Sequence, residues 1–239
     1  RRHFHEYDSN HDDLVNISVK NHLHGFENEM AHIRKEVSFE KAQSGFMVAD
    51  PLTLYDCCPT SDGASAVILA ADHVVRQFTD DPVWLRSSGA GSDFLALHDR
   101  PSITQVRATQ QASNAAYKAA GITAADVDLA EVHDCFTIAE LMATEDLGFA
   151  GRGEGGVFAR EQRGVRNQGD VCINPSGGLK SKGHPLGATG TGQAVEVFKQ
   201  LRGSVEDARQ VRDAEIGITH NVGGSGATCA VHVFGRDRA

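Results

Sequence analysis

Beyond residue 82 the chain alternates short apolar runs of strand character with longer stretches of helical spacing, and few architectures accept that order. VWLRSSGAG (83–91) reads as a strand ending in glycines. SITQVRATQQASNAAYKAAG (102–121) reads as a helix, with Ser102 as N-cap and Gly121 as stop. DVDLAEVHDCF carries a second strand. Residues 137–147 form a short helix with Ile138, Leu141 and Met142 on one face. GATGTGQAVEVFKQLRG is a glycine-led helix presenting Ala194, Val195, Phe198 and Leu201, and EIGITHNVGGSGATCAVHVFG reads as two strands around a glycine-rich turn. This alternation specifies an α/β sheet domain. With 239 residues, 40% of them hydrophobic, the chain can build one large domain or two small ones.

The first third is more polar. DDLVNISVKNHLHG reads as a helix with Asp12 as N-cap and Gly25 as stop. The NIS sequon inside it is taken as a chance match. Residues 64–71, small and apolar, fit a buried strand or the start of a helix. TDDP (79–82) is a turn and the best boundary, dividing the chain into 1–80 and 81–239. GRGEGG and NQGD mark a long loop. The opening RRHFHEYDSN has neither an initiator Met nor an apolar signal segment, and reads as the interior of a longer polypeptide.

Several classes are disfavoured. A net charge of −9 argues against binding a nucleic-acid backbone. No run of 18 apolar residues is present, so no membrane span is expected. Five cysteines without a CxxC pair suit a reducing, cytoplasmic compartment better than a secreted disulfide framework. Twelve histidines are many, yet HFH and HLH lack cysteines at zinc-site spacing, and no metal is expected. GRGEGG satisfies GxGxxG but follows a helix, and no helix clearly starts inside it, so it is not read as a dinucleotide loop. No Walker A pattern occurs.

Three motifs carry chemistry. In VHDCF, His133 and Cys135 follow a strand, where α/β sheets bind ligands, and a thiol beside an imidazole can move a proton. A buried small thiol and a satisfied core histidine are the plain alternative. In SGGLKSKGHPLGATGTG (176–192), glycines allow close backbone approach around His184, and a glycine-rich helix start presents N–H groups to an anion. A tight structural loop is the alternative. THNVGGSGA (219–227) places His220 and Asn221 at the end of a strand; on pattern alone it is a hairpin.

HDCF, then SGGxxSKGHPLGATG, then HNxGG, together with DCCPTSDGASAVILA, resemble the thiolase family in its sterol carrier protein branch and the related archaeal acetoacetyl-CoA thiolases. The likeness runs from about residue 5 to the C-terminus. It implies a layered αβαβα fold, here the C-terminal half plus the loop region and the end of the N-terminal half. It implies reversible Claisen condensation or thiolytic cleavage of a 3-ketoacyl-CoA such as acetoacetyl-CoA, with coenzyme A as substrate and no cofactor. By resemblance Cys135 exchanges the α-carbon proton and His133 replaces an oxyanion-hole asparagine. His184 faces a thioester oxygen and activates the attacking thiol. Asn221, Gly223 and Gly224 shape a second oxyanion hole. Ser176, Gly177, Lys180 and Lys182 are candidates for CoA binding, with solvated lysines as the alternative for the last two. The family's nucleophilic cysteine belongs to the other half, and Cys57, Cys58 and Cys229 are read as structural. The chain alone is therefore expected to be inactive. A homodimer or homotetramer is implied, with partner subunits possible. Two other readings stand beside this one: a thiolase-like aldolase of steroid side-chain CoA esters, which the retained thiol opposes, and a non-catalytic CoA-ester-binding subunit.

Overall fold

The computed structural model describes residues 1–238. Three helices lead: α1 (Arg2–Glu6), α2 (His11–Phe26) and α3 (Phe39–Gln43). A small ribbon of β1 (Met47–Ala49) and β2 (Leu52–Thr53) follows, then the one-turn helix α4 (Asp72–Val75). The remaining elements are β3 (Trp84–Ser92), α5 (Arg107–Ala120), β4 (Leu129–Glu131), α6 (Thr137–Asp146), α7 (Gly155–Arg160), β5 (Cys172–Ile173), α8 (Gly178–Ser181), α9 (Thr189–Leu201), β6 (Ile216–Gly223) and β7 (Thr228–Gly235).

The α/β expectation holds. Five strands pair in the order β3-β7-β6-β4-β5. The β3–β7 and β7–β6 pairs are antiparallel; β4 runs parallel to both β6 and β5. Successive residues of β4 point to opposite faces, as a strand requires. Ala130 joins Ala112, Ala116, Ile218 and Val231 under α5, while Leu129 joins Val197 and Leu201 under α9. The sheet is thus a filling between helical layers. Helix α5 sits unusually close to β3, because a Cβ on Gly89 would lie 2.0 Å from the Ala112 carbonyl oxygen. Only glycine on the strand and alanine on the helix permit that approach.

The parallel trio positions the site. β4 is flanked by β6 and β5, and all three reach their C-terminal ends on the same edge. HDCF follows β4, the SGGLKSKGHP loop follows β5, and HNVGG completes β6. Motifs separated by many residues therefore converge at one strand-end crevice, the usual ligand position in such sheets.

Several local expectations need correction. Asn10, not Asp12, caps α2: its side chain accepts from the Asp12 amide at 2.8 Å and Asp13 closes the capping box. Gly25 does not stop that helix. It allows close packing, since a Cβ there would meet Ser181 Oγ at 2.2 Å. Helix α5 begins at Arg107, and Ser102 bonds Thr104 instead of capping it. Gly121 does end it, in the left-handed conformation at φ 69°. A helix, α7, does begin inside GRGEGG, but it is six residues long and follows α6 rather than a strand. Residues 64–71 form neither strand nor helix up to Ala71, and Ile68 and Leu69 are 97% and 76% exposed, since no described element covers them.

Candidate active site

His133 and His184 face one another across the crevice. Their ring centroids are 4.9 Å apart and the planes meet at 88°. Burial, then the neighbouring His184, pushes His133 down to about 4, so it is neutral at pH 7. Its Nδ1 is buried without a hydrogen-bond partner among the described residues. An unsatisfied polar atom at this depth is costly unless a ligand completes it. Burial and Lys182 also lower His184 from the ordinary histidine value.

The tautomer of His184 follows from its partner. Nδ1 lies 2.8 Å from Thr189 Oγ1, and that hydroxyl donates to the Pro185 carbonyl at 3.0 Å. A hydroxyl has one proton to give. Thr189 therefore accepts from His184 Nδ1–H, leaving the lone pair on Nε2. A second neutral imidazole supports the first. His220 Nδ1 accepts from the His133 amide at 3.4 Å, so its Nε2–H donates to Thr109 Oγ1 at 2.9 Å. Burial and His133 depress His220 to about 3. Thr189→Val should free the His184 ring and let it change tautomer. In the full-length protein we expect kcat to fall about tenfold, less than the roughly hundredfold or more that removing a positioned base costs, because the ring is loosened and not lost, with KM held. Steady-state kinetics of Thr189→Val against Thr189→Ser, which keeps the hydroxyl, is the check; equal rates for all three proteins would refute the assignment.

Cys135 is half-buried at the mouth of α6. Burial, Asp134 and Cys58 push its thiol up to about 11, so the resting site holds a protonated thiol. Asp134 is fully buried. One carboxylate oxygen accepts the Leu179 amide at 2.7 Å; the other accepts Lys180 N at 3.3 Å and Asn21 Nδ2 at 2.9 Å. It thereby ties the loop after β4 to the start of α8 and to α2. Burial and Glu140 push it up to about 7.

Residues 57–61 run as a strap across both loops. The Cys58 amide donates to the Cys135 carbonyl at 3.0 Å, and Cys57 bridges Phe136. Thr60 bridges His184, whose amide donates to Ser61 Oγ at 3.2 Å. Cys58, read from sequence as structural, thus stands opposite Cys135.

His133 and His184 are brought ring to ring, and Cys135, two residues after His133, is tied to the His184 loop through the strap's backbone. Asn221 lies one step away: its Nδ2 donates to Gln193 Oε1 at 3.1 Å, on the helix that also carries Thr189. Gly223 and Gly224 form an exposed turn beside Leu95 and Ala227 and, among the described residues, make no hydrogen bond to His133, Cys135 or His184. The four residues expected at CoA are each engaged with the scaffold. Ser176 is buried and bonds Glu131 through its amide and hydroxyl. Gly177 packs on Gly25. Lys180 is 2% exposed and donates to the Cys57 carbonyl at 2.6 Å. Lys182 pairs with Glu131 at 3.2 Å. These four residues hold the loop to its scaffold, and a phosphate has no free ammonium to meet at Lys180. Sequence reasoning missed Asp134, Thr189 and Cys58. For Asp134 a signal existed, a carboxylate wedged between two candidate catalytic residues.

The family described as Thiolase C-terminal domain-like matches residues 89–236. This chain belongs to the thiolase family. Among relatives, it is 51% identical over 236 residues to an acetyl-CoA acetyltransferase of Methanothermobacter thermautotrophicus, covering 99% of this chain and 61% of that protein. It is 37% identical to the rabbit (Oryctolagus cuniculus) sterol carrier protein 2, covering 95% of this chain and 42% of that protein. The chain thus spans well under two thirds of these relatives. Among solved structures, an Ltp2-ChsH2(DUF35) aldolase superposes with a TM-score of 0.87 at 23% identity, covering 100% of this chain and 62% of that one; this likeness concerns fold alone.

Proposed function

We propose that this chain supplies the acid–base and oxyanion half of a thiolase that cleaves or forms 3-ketoacyl-CoA. The observation that supports the reading is a neutral His133 with an unpartnered Nδ1, set ring to ring with a Thr189-oriented His184 and two residues before a protonated Cys135. In cleavage, His184 Nε2 takes the proton of an attacking thiol, and the thiolate adds to the 3-keto carbon. The C2–C3 bond breaks, leaving an acyl group on sulfur and an enolate on the departing acetyl-CoA. Cys135 gives its proton to C2, and the protonated thiol is the form this step needs. His133 donates to the thioester oxygen while negative charge develops there. Free CoA then takes the acyl group from the enzyme.

The attacking thiol is proposed to come from polypeptide beyond these residues. The uncovered run Val67, Ile68 and Leu69 supports a further element packing there. A relative 35% identical over 227 residues is named as a subunit, the benzoylsuccinyl-CoA thiolase subunit BbsB of Thauera aromatica, and a partner subunit is part of the proposal here. The test is turnover of acetoacetyl-CoA plus CoA. The full-length protein should produce acetyl-CoA, and residues 1–239 alone should not. Absence of product from the full-length protein, with or without its co-purifying subunits, would refute the reading.

A further inference from the structure

We propose that Lys180 is a positioning residue that clamps the 57–61 strap and so sets Cys135 and His184 in register with each other. Lys180 is buried at the start of the loop that ends in His184, and its Nζ donates to the Cys57 carbonyl at 2.6 Å. Among the described residues it is the one side chain that bonds the strap's backbone between Asp56 and Ser61. One residue further on, the strap's amide at Cys58 bonds the Cys135 carbonyl. Two residues beyond that it bridges His184 at Thr60, and Ser61 Oγ accepts the His184 amide. Ser65 Oγ then reaches the Ala188 carbonyl at 2.8 Å, beside Thr189.

The carbonyl held by Lys180 is therefore the fixed point of a short segment that touches both catalytic loops. The clamp also closes on itself. Lys180's own amide donates to Asp134, the residue between His133 and Cys135. One residue thus binds the β4 loop through its backbone and the strap through its side chain. A buried ammonium is costly to desolvate, and its retention here is explained by a strong charge-assisted bond to a carbonyl that nothing else satisfies.

This inference rests on the thiolase reading, and the experiment separates the two. In the full-length protein, two partial reactions report on the two loops. Exchange of acetyl between acetyl-CoA and labelled CoA depends on His184. Exchange of the acetyl-CoA α-protons with deuterated water depends on Cys135. Lys180→Met should slow both by a similar factor, tenfold or more, with KM for acetoacetyl-CoA unchanged. Lys180→Gln retains a donor for the Cys57 carbonyl and should recover part of both. Hydrogen–deuterium exchange should show the Cys58 amide exchanging faster in Lys180→Met, with amides of β6 unaltered. If Lys180→Met is too unstable to assay, the Lys180→Gln rates and amide exchange decide alone. Loss of only one partial reaction, equal impairment of both variants, or an unchanged Cys58 amide would overturn the clamp. A wild-type protein without either partial reaction would instead overturn the thiolase reading, while amide exchange would still test the clamp.

Discussion

Cys135→Ala in the full-length protein should lower thiolysis of acetoacetyl-CoA by about a thousandfold, within the range that a positioned acid–base group contributes. The substitution removes the Cys135 thiol and leaves His133, His184 and the Asp134 anchor in place. Binding should survive, so KM should change little. The partial reactions should divide sharply: α-proton exchange is lost, while acyl exchange continues through His184. Cys135→Ser tests the proton more finely, because a hydroxyl of far higher pKa fits the space but does not give up its proton. Burial and Asp134 hold the native thiol near 11, so wild-type α-exchange, which needs the thiolate, should rise with pH up to that value, while Cys135→Ala should show no such rise. Undiminished α-exchange in Cys135→Ala would assign the proton to another group, and Cys58, directly opposite on the strap, would be the next to replace.

The three motifs were legible because each is contiguous and lies at the end of a strand. Their convergence needed one more fact, that β4 pairs in parallel with both of its neighbours, which strand–helix alternation anticipates. What stayed hidden depends on contacts across long separations. Lys180 has the composition of a surface residue, and nothing near it in sequence announces that it lies under the Cys57 carbonyl. Gly25 reads as a helix stop by local rules, whereas its cause is Ser181 and Gly177 pressing against the helix. Ser102 looks like a cap, yet the chain stays irregular until Arg107, and Asp146 accepts the Val106 amide at 2.7 Å just before α5. Residues 64–71 look buried from their apolarity, yet among the described residues only the Ser65 side chain finds a partner, the Ala188 carbonyl, and the apolar side chains stay exposed.

Asp134→Ala should destabilise the fold by about 3 kcal/mol, since it strands buried donors that have no access to water. The Leu179 and Lys180 amides lose their acceptor at once, and Asn21 Nδ2 keeps only its bond to Glu140. Asp134→Asn keeps the volume and one acceptor oxygen and should lose less. The pH dependence adds a second readout. Burial and Glu140 raise the carboxyl from 3.8 to about 7 in the folded protein, with Lys20 and the two amides opposing them. The folded state therefore holds a proton that the unfolded state has released, and this group's contribution to stability falls as pH rises from about 4 to about 7. Below 4 both states are protonated and the contribution is constant. Asp134→Asn has no proton to lose, so its stability relative to wild type should improve across that window. Denaturant midpoints of the full-length protein at pH 4, 5.5 and 7.5 measure both effects. A wild-type-like midpoint for Asp134→Ala would mean that the loop after β4 is held by other contacts, and parallel pH curves for wild type and Asp134→Asn would mean that this carboxyl is ionised throughout.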